Sequence, residues 1–209
     1  MNKITVLELF AGAGGMALGF EQAGLKTIGL IEVDKDACET LRKNRPRWEV
    51  LQQDVADVDF SQFNADIISG GFPCQSFSYA GKGLGFEDTR GTLFFEFARA
   101  IKEVKPKIFV GENVEGLKNH DEGRTLETMV KVLSDLGYHV QMKVLNSVDY
   151  TVAQKRKRVF IVGTIDGYHF EYPSPYEKKI VLKDALKNVP DSRGTKYSEK
   201  RRKVLELVP

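Results

Sequence analysis

The chain opens on an apolar run over residues 4–10, broken only by Glu8, and passes through a glycine-rich turn into a helically spaced segment reaching Gln22. A second apolar run covers 27–33, and Asp34 stands where it can cap a helix reaching Leu41. Residues 48–51 and 65–69 read as a third and a fourth strand. Residues 94–104 repeat apolar positions at helical spacing, and 107–110 form a buried type of strand that ends at Glu112. Residues 126–136 are amphipathic at i, i+3 and i+4, while 140–145 and 158–162 again read as strands. Strands alternating with helices predict an α/β fold: a doubly wound, mostly parallel, Rossmann-like sheet with helices on both faces. In such sheets ligands collect beyond the carboxyl ends of the strands. Most of the unusual residues of this chain fall there.

From about Gly163 the alternation stops. Tyr168, Phe170, Tyr172, Pro173, Pro175 and Tyr176 mix with charged residues, without repeats or low-complexity tracts. The organisation expected is a domain over residues 1–165 and a basic extension over 166–209. A length of 209 residues suits one large domain, or one domain with an appendage. The net charge of +2 hides a division: residues 1–152 carry 17 basic and 22 acidic side chains, whereas 153–209 carry 14 and 7. A basic final quarter on an acidic body suits a polyanionic partner. The composition excludes a disordered or collagen-like chain. No apolar run approaches the ~18 residues of a membrane span, and Glu8 breaks the first run too early for a secretory leader. Two cysteines, 36 positions apart, make neither a disulfide scaffold nor a cysteine-based zinc site, so a reducing compartment and no metal are expected.

Two segments carry candidate chemistry. Gly12, Gly14 and Gly15, followed by Ala17, match G-x-G-x-x-[GA] between a strand and a helix, and Glu32 ends the next strand 20 residues after Gly12. Glycine lets the backbone turn tightly and approach a ligand, and the carboxylate can accept from ribose hydroxyls. Asp54, after the third strand, can accept from an adenine amino group. Together they predict an adenosine-containing cofactor, either a nicotinamide dinucleotide or S-adenosylmethionine. The second segment is Gly70-Gly-Phe-Pro-Cys-Gln-Ser-Phe-Ser78, directly after the fourth strand. It places the Cys74 thiol at the ligand edge of the sheet, where a thiolate can act as nucleophile. Cys38 lies inside a predicted helix without chemical neighbours and reads as a small buried hydrophobe.

Phe10-Ala-Gly-Ala-Gly-Gly15, Gly71-Phe-Pro-Cys-Gln75, Glu112-Asn-Val114 and Gln154-Lys-Arg-Lys-Arg158 resemble, in that order, signature motifs of the DNA cytosine-5 methyltransferases. The resemblance runs from Ile4 to about Val162. It implies transfer of a methyl group from S-adenosylmethionine to carbon 5 of cytosine in duplex DNA. Carbon 5 is a poor nucleophile; addition of the Cys74 thiolate to ring carbon 6 makes it an enamine-like one, and elimination then frees the cysteine. Charge gathers on the pyrimidine during the addition, so a protonated partner at ring nitrogen 3 lowers the barrier. The resemblance gives that role to Glu112, pre-organised by Asn113. Arg158, and secondarily Arg156, are implied to contact the cytosine carbonyl oxygen and to stabilise the thiolate. Strand alternation puts these arginines on one face and Lys155 and Lys157 on the other.

By the same resemblance Phe10 stacks on the adenine, Gln154 braces the cysteine loop, and the Phe72 and Pro73 backbone reads the exocyclic amine. Gln75 and Ser78 face the DNA. The target base must be flipped out of the duplex, and the glycine-rich residues 81–92 can close over it. His120 and Trp48 read as structural.

The family pattern continues for a hundred residues or more past the last motif, with a target-recognition region, a further arginine-bearing motif and a returning helical motif. None of these is recognisable here. A split enzyme with a second subunit, a shortened piece of a longer chain, and a degenerate fragment all fit. A bacterial, cytoplasmic, nucleoid-associated protein of a restriction–modification system is expected. The rival functions are a nicotinamide-dependent oxidoreductase, a transfer-RNA cytosine-5 methyltransferase, and an inactive DNA-binding or regulatory homologue.

Overall fold

The computed structural model describes residues 3–73, 93–188 and 198–206. Among them, strands β1 (Thr5–Leu9), β2 (Lys26–Glu32), β3 (Val50–Gln52), β4 (Ile67–Gly70), β5 (Ile108–Val114), β6 (His139–Asn146) and β7 (Lys157–Thr164) form one sheet in the order β3-β2-β1-β4-β5-β7-β6. The pairs among β1 to β5 are parallel, whereas β7 runs antiparallel to both β5 and β6. The helices are α1 (Gly15–Gln22), α2 (Lys35–Asn44), α3 (Leu93–Val104), α4 (Arg124–Asp135), and the short α5 (Leu182–Ala185) and α6 (Glu199–Leu205). Strand order reverses between β1 and β4. With right-handed crossovers, that reversal puts α1 and α2 on one face and α3 on the other, and opens a crevice at the carboxyl ends of β1 and β4. The α/β, Rossmann-like reading of the sequence therefore holds. Among the described residues no helix is long and apolar enough to cross a membrane.

The two faces carry separate apolar clusters. On the α1 face Ala17, Leu30 and Leu41 pack with Trp48 and Val50. The opposite face holds a phenylalanine core, with Phe72 at 5.4 Å and 5.3 Å from Phe94 and Phe97, and Phe97 at 6.1 Å from Phe109, measured between ring centres. Such offset and edge-on pairs add to area burial. Helix α3 is held here because Phe94, Phe97, Ala98 and Ile101 recur at helical spacing and are all buried.

Local chemistry moves several predicted boundaries. Asp34 caps α2 as expected, its Oδ1 accepting from Ala37 N–H at 2.8 Å. The helix continues past Leu41 to Asn44, its last turn carrying Arg42 and Lys43, which suit the helix dipole. The strand predicted at 48–51 starts only at Val50, because Trp48 turns its indole away to donate to Glu21 Oε2 at 2.8 Å. The strand predicted at 65–69 starts at Ile67, after Asp66, whose carboxylate accepts from Thr5 and Lys107. Residues beyond β7 fold back on the sheet. The Tyr172 hydroxyl donates toward the carbonyls of Phe160 (2.9 Å) and Gln141 (3.1 Å), and Tyr150 Oη donates to the Pro173 carbonyl at 3.0 Å.

Candidate active site

Two cavities meet at the crevice, sharing Phe10 and Gly71 as walls. The smaller, about 370 Å³, is lined by Ile31, Glu32, Gln53, Asp54, Val55 and Pro73 among others. The larger, about 580 Å³, runs from Glu8, Gly15 and Met16 to Glu112, Arg156 and Arg158, with Tyr150 and Pro173 closing one side.

The glycine turn is built by left-handed backbone. Phe10 has φ 56°, Gly12 53° and Gly14 83°; glycine tolerates this, but for phenylalanine it is a strained conformation that its surroundings must hold. A Cβ on Gly14 would stand 2.6 Å from Leu41 and 2.9 Å from Trp48. Gly14 is thus the point where the turn rests on the α1 face, and no side chain caps the helix that begins after it. Glu32 braces the turn: its Oε2 accepts from Gly12 N–H at 2.7 Å and its Oε1 from Asp34 N–H at 2.8 Å. Each oxygen keeps a further lone pair for a ribose hydroxyl. Asp54 caps the 3-10 turn Val55–Asp57 through Ala56 N–H at 3.0 Å and still lines the smaller cavity.

At the other end of the larger cavity, Arg158 Nε stands 2.8 Å from Glu112 Oε1, with both side chains partly buried. Glu112 Oε2 points toward Gly71, where a Cβ would come within 3.2 Å of it; glycine there lets the carboxyl reach over the β4 loop. The predicted strand alternation is present. Arg156 and Arg158 line the cavity while Lys157 turns away to Glu115 at 3.2 Å. The Arg156 main chain is tied to β6, its N–H donating to Asn146 Oδ1 and its carbonyl accepting from Ser147 N–H.

One expectation needs correction. Asn113 does not brace the Glu112 carboxyl. Alternation sends it to the opposite, buried face, where Nδ2 donates to the Phe72 carbonyl at 2.8 Å and Oδ1 accepts from Val114 N–H. The Phe72 carbonyl accepts this bond with one of its two lone pairs, and the Phe72 ring lies in the phenylalanine core. Gln154 is exposed in the turn before β7, its N–H donating to the Val152 carbonyl at 2.8 Å; the cysteine segment it is expected to brace lies outside the described residues. Cys74, Gln75, Ser78 and residues 81–92 lie outside the described residues; Cys74 directly follows Pro73, which lines the smaller cavity. Cys38 is fully buried, as expected of a packing residue.

Sequence reasoning missed Gln53, Tyr150, Pro173 and above all Glu8. Only Glu8 had a signal, a carboxyl inside an otherwise apolar strand. It is 2% exposed, lines the larger cavity, and its Oε2 has no hydrogen-bond partner among the described residues. Burial pushes its carboxyl up to about 8.

A doubly wound sheet with a strained glycine turn after β1, a carboxylate at the end of β2 and a carboxylate–arginine pair between β5 and β7 defines a Rossmann-like methyltransferase fold. The chain belongs to the C-5 cytosine-specific DNA methylase family, whose model matches residues 4–208. It is 56% identical to the type II methyltransferase M.Eco47II of Escherichia coli over 222 aligned positions, covering 100% of this chain and 53% of that relative. It is 52% identical to M.Sau96I of Staphylococcus aureus, covering 98% of this chain and 50% of the relative. The chain thus spans about half the length of these relatives. A solved structure described as a DNA modification methyltransferase encoded within an E. coli prophage superposes with a TM-score of 0.75 at 28% identity, over 91% of this chain and 56% of that one. The S. pombe Dnmt2 methyltransferase, at 22% identity and a TM-score of 0.65, shares the fold.

Proposed function

We propose that this chain is the cofactor-binding and catalytic part of an enzyme that methylates carbon 5 of cytosine in duplex DNA, with S-adenosylmethionine as donor. The observation that carries the reading is the Glu112–Arg158 pair, 2.8 Å apart, in one cavity with the start of α1. The cavities fit the donor. Glu32 and Asp54 offer carboxylates to a nucleoside in the smaller one, and Glu8 Oε2, without a partner among the described residues, offers a polar site in the larger. When bound, S-adenosylmethionine supplies an electrophilic methyl group on a sulfonium.

The chain's own residues then divide the work. Arg158 holds Glu112 Oε1 and leaves Oε2 to share a proton with ring nitrogen 3, which spreads the charge that builds as the thiolate adds. Arg156, on the rim, offers its guanidinium to the pyrimidine carbonyl oxygen or to phosphate. The Asn113–Phe72 bond anchors the chain two residues before Cys74, the nucleophile of this reading. Residues 1–165 form the catalytic unit in this view. The other half of the protein, on the same chain or a second subunit, reads the DNA sequence, and the physiological setting is a bacterial restriction–modification system.

The test is covalent trapping. The chain, supplied with the remaining half and S-adenosylmethionine, should form a stable adduct with duplex DNA containing 5-fluorocytosine. Cys74→Ser should form none. An adduct that survives Cys74→Ser, or the absence of any adduct with the native chain, rejects the reading.

A further inference from the structure

The crevice occupies one end of the sheet. The opposite end carries a cavity of about 510 Å³ that shares no residue with the two cavities of the crevice. Its walls come from the amino-terminal ends of four adjacent parallel strands. Lys26 starts β2, Lys3 and Thr5 lead β1, Asn64 and Asp66 precede β4, and Lys107 precedes β5. Register brings these ends level, with Thr5 opposite Lys26 and Ile67 opposite Ile108. With neighbouring strands about 4.8 Å apart, the Lys26 and Lys107 backbones stand about 14 Å apart, and the β1 lysine lies between them.

The one acid in this wall is already engaged. Asp66 Oδ1 accepts from Lys107 Nζ at 2.7 Å, and its Oδ2 accepts from the Thr5 N–H at 2.9 Å and hydroxyl at 3.0 Å. The bond from Lys107, with those from Thr5, holds the Asp66 carboxyl below its ordinary value, so it stays ionised and cancels the Lys107 charge. Lys3 and Lys26 are exposed and make no ion pair among the described residues. Like charges facing one cavity repel, and an anion between them relieves the repulsion. The exposed Asn64 amide adds N–H donors, and Lys107 Nζ keeps donors beyond the one given to Asp66.

We propose that this cavity is an anion site separate from the catalytic crevice, taking a compact phosphate-type anion of two or more charges, such as the diphosphate group of a small molecule. Lys3 and Lys26 supply the charge, and Asn64 and Lys107 supply further hydrogen bonds. A cavity walled by four strand ends encloses a small molecule, whereas a DNA duplex lays a convex backbone across an open surface. The site is independent of the methyl-donor reading. The five residues of β1 alone put about 15 Å between it and the crevice.

The experiment is titration calorimetry of the chain with inorganic pyrophosphate, with heat melts alongside. One pyrophosphate should bind per chain and raise the melting temperature. The double variant Lys3→Gln/Lys26→Gln should weaken binding roughly tenfold or more and lose the rise. Lys35→Gln/Lys131→Gln removes the same charge from exposed helix surfaces, where these lysines pair with Glu39 and Asp135, and should bind as the native chain does. Absence of binding by the native chain, equal weakening in the two double variants, or native affinity in Lys3→Gln/Lys26→Gln would overturn the proposal. Displacement of bound pyrophosphate by a duplex of dA and dT alone would overturn it too, because the phosphates recognised would then be those of a DNA backbone.

Discussion

Asn113 and Glu112 are neighbours in sequence but work on opposite faces of the sheet. Glu112 meets Arg158 in the cavity, and Asn113 holds the Phe72 carbonyl inside the core at 2.8 Å. The two side chains connect the larger cavity to the segment that follows β4 through one strand. Asn113→Leu leaves the buried Phe72 carbonyl without its donor and should destabilise the fold by about 1–3 kcal/mol. Denaturant unfolding measures this, and trapping with 5-fluorocytosine DNA should slow as the start of the loop loosens.

Removal of either member of the Glu112–Arg158 pair should strike chemistry more than folding, because both side chains are partly exposed and water can replace the lost partner. Glu112→Gln and Arg158→Ala should each reduce the rate of adduct formation by about a hundredfold or more. S-adenosylmethionine affinity, measured alongside by calorimetry, should stay near native.

The glycines of the turn should differ in their tolerance. Gly14→Ala meets both a positive φ of 83° and the Leu41 and Trp48 side chains at 2.6 and 2.9 Å. Gly12→Ala meets only a positive φ of 53°, with nothing within 4 Å. The second should cost about 1–2 kcal/mol in thermal unfolding. The first should cost clearly more, and should also shift the start of α1 and weaken cofactor binding.

The Glu8 carboxyl gives ligand-free stability a direction with pH. Its ordinary value of 4.5 is raised to about 8 by burial. Between those values the native state keeps a proton that the unfolded state has lost. Native stability is therefore full below about 4.5, falls as pH rises, and levels off above about 8. Glu8→Gln removes this contribution. In urea melts its stability relative to the native chain should rise by a few kcal/mol from pH 5 to pH 8.

Tyr172 ties the segment after β7 to the sheet, its hydroxyl meeting two carbonyls and its own ionisation pushed up to about 12 by burial. Tyr172→Phe should cost about 1 kcal/mol. Limited proteolysis should then cut faster near residues 168–176, next to the Pro173 wall of the larger cavity.

Most of the site was legible in the chain because its parts are local. The glycine turn follows β1, Glu32 ends β2, Glu112 lies near the end of β5, and the two arginines stand at the start of the antiparallel β7, all at the one edge of the sheet where the parallel strands end. Trp48 shows where local reading ends. It looks like the start of a strand, yet its indole is drawn to Glu21, 27 residues earlier. Gln53, Tyr150 and Pro173 left no signal, since each becomes a cavity wall only when separate elements converge.

The pattern of the chain by itself determined the doubly wound sheet, the glycine turn before α1 and the set of residues able to do chemistry, since hydrophobic period and glycine placement are written position by position. Tertiary structure decided what those residues face. It paired Glu112 with Arg158 rather than with Asn113, because adjacent side chains on a strand leave on opposite sides. It also buried the Glu8 carboxyl and left its Oε2 without a partner among the described residues, because burial depends on the helix and strands that cover the residue and on nothing in the residue itself.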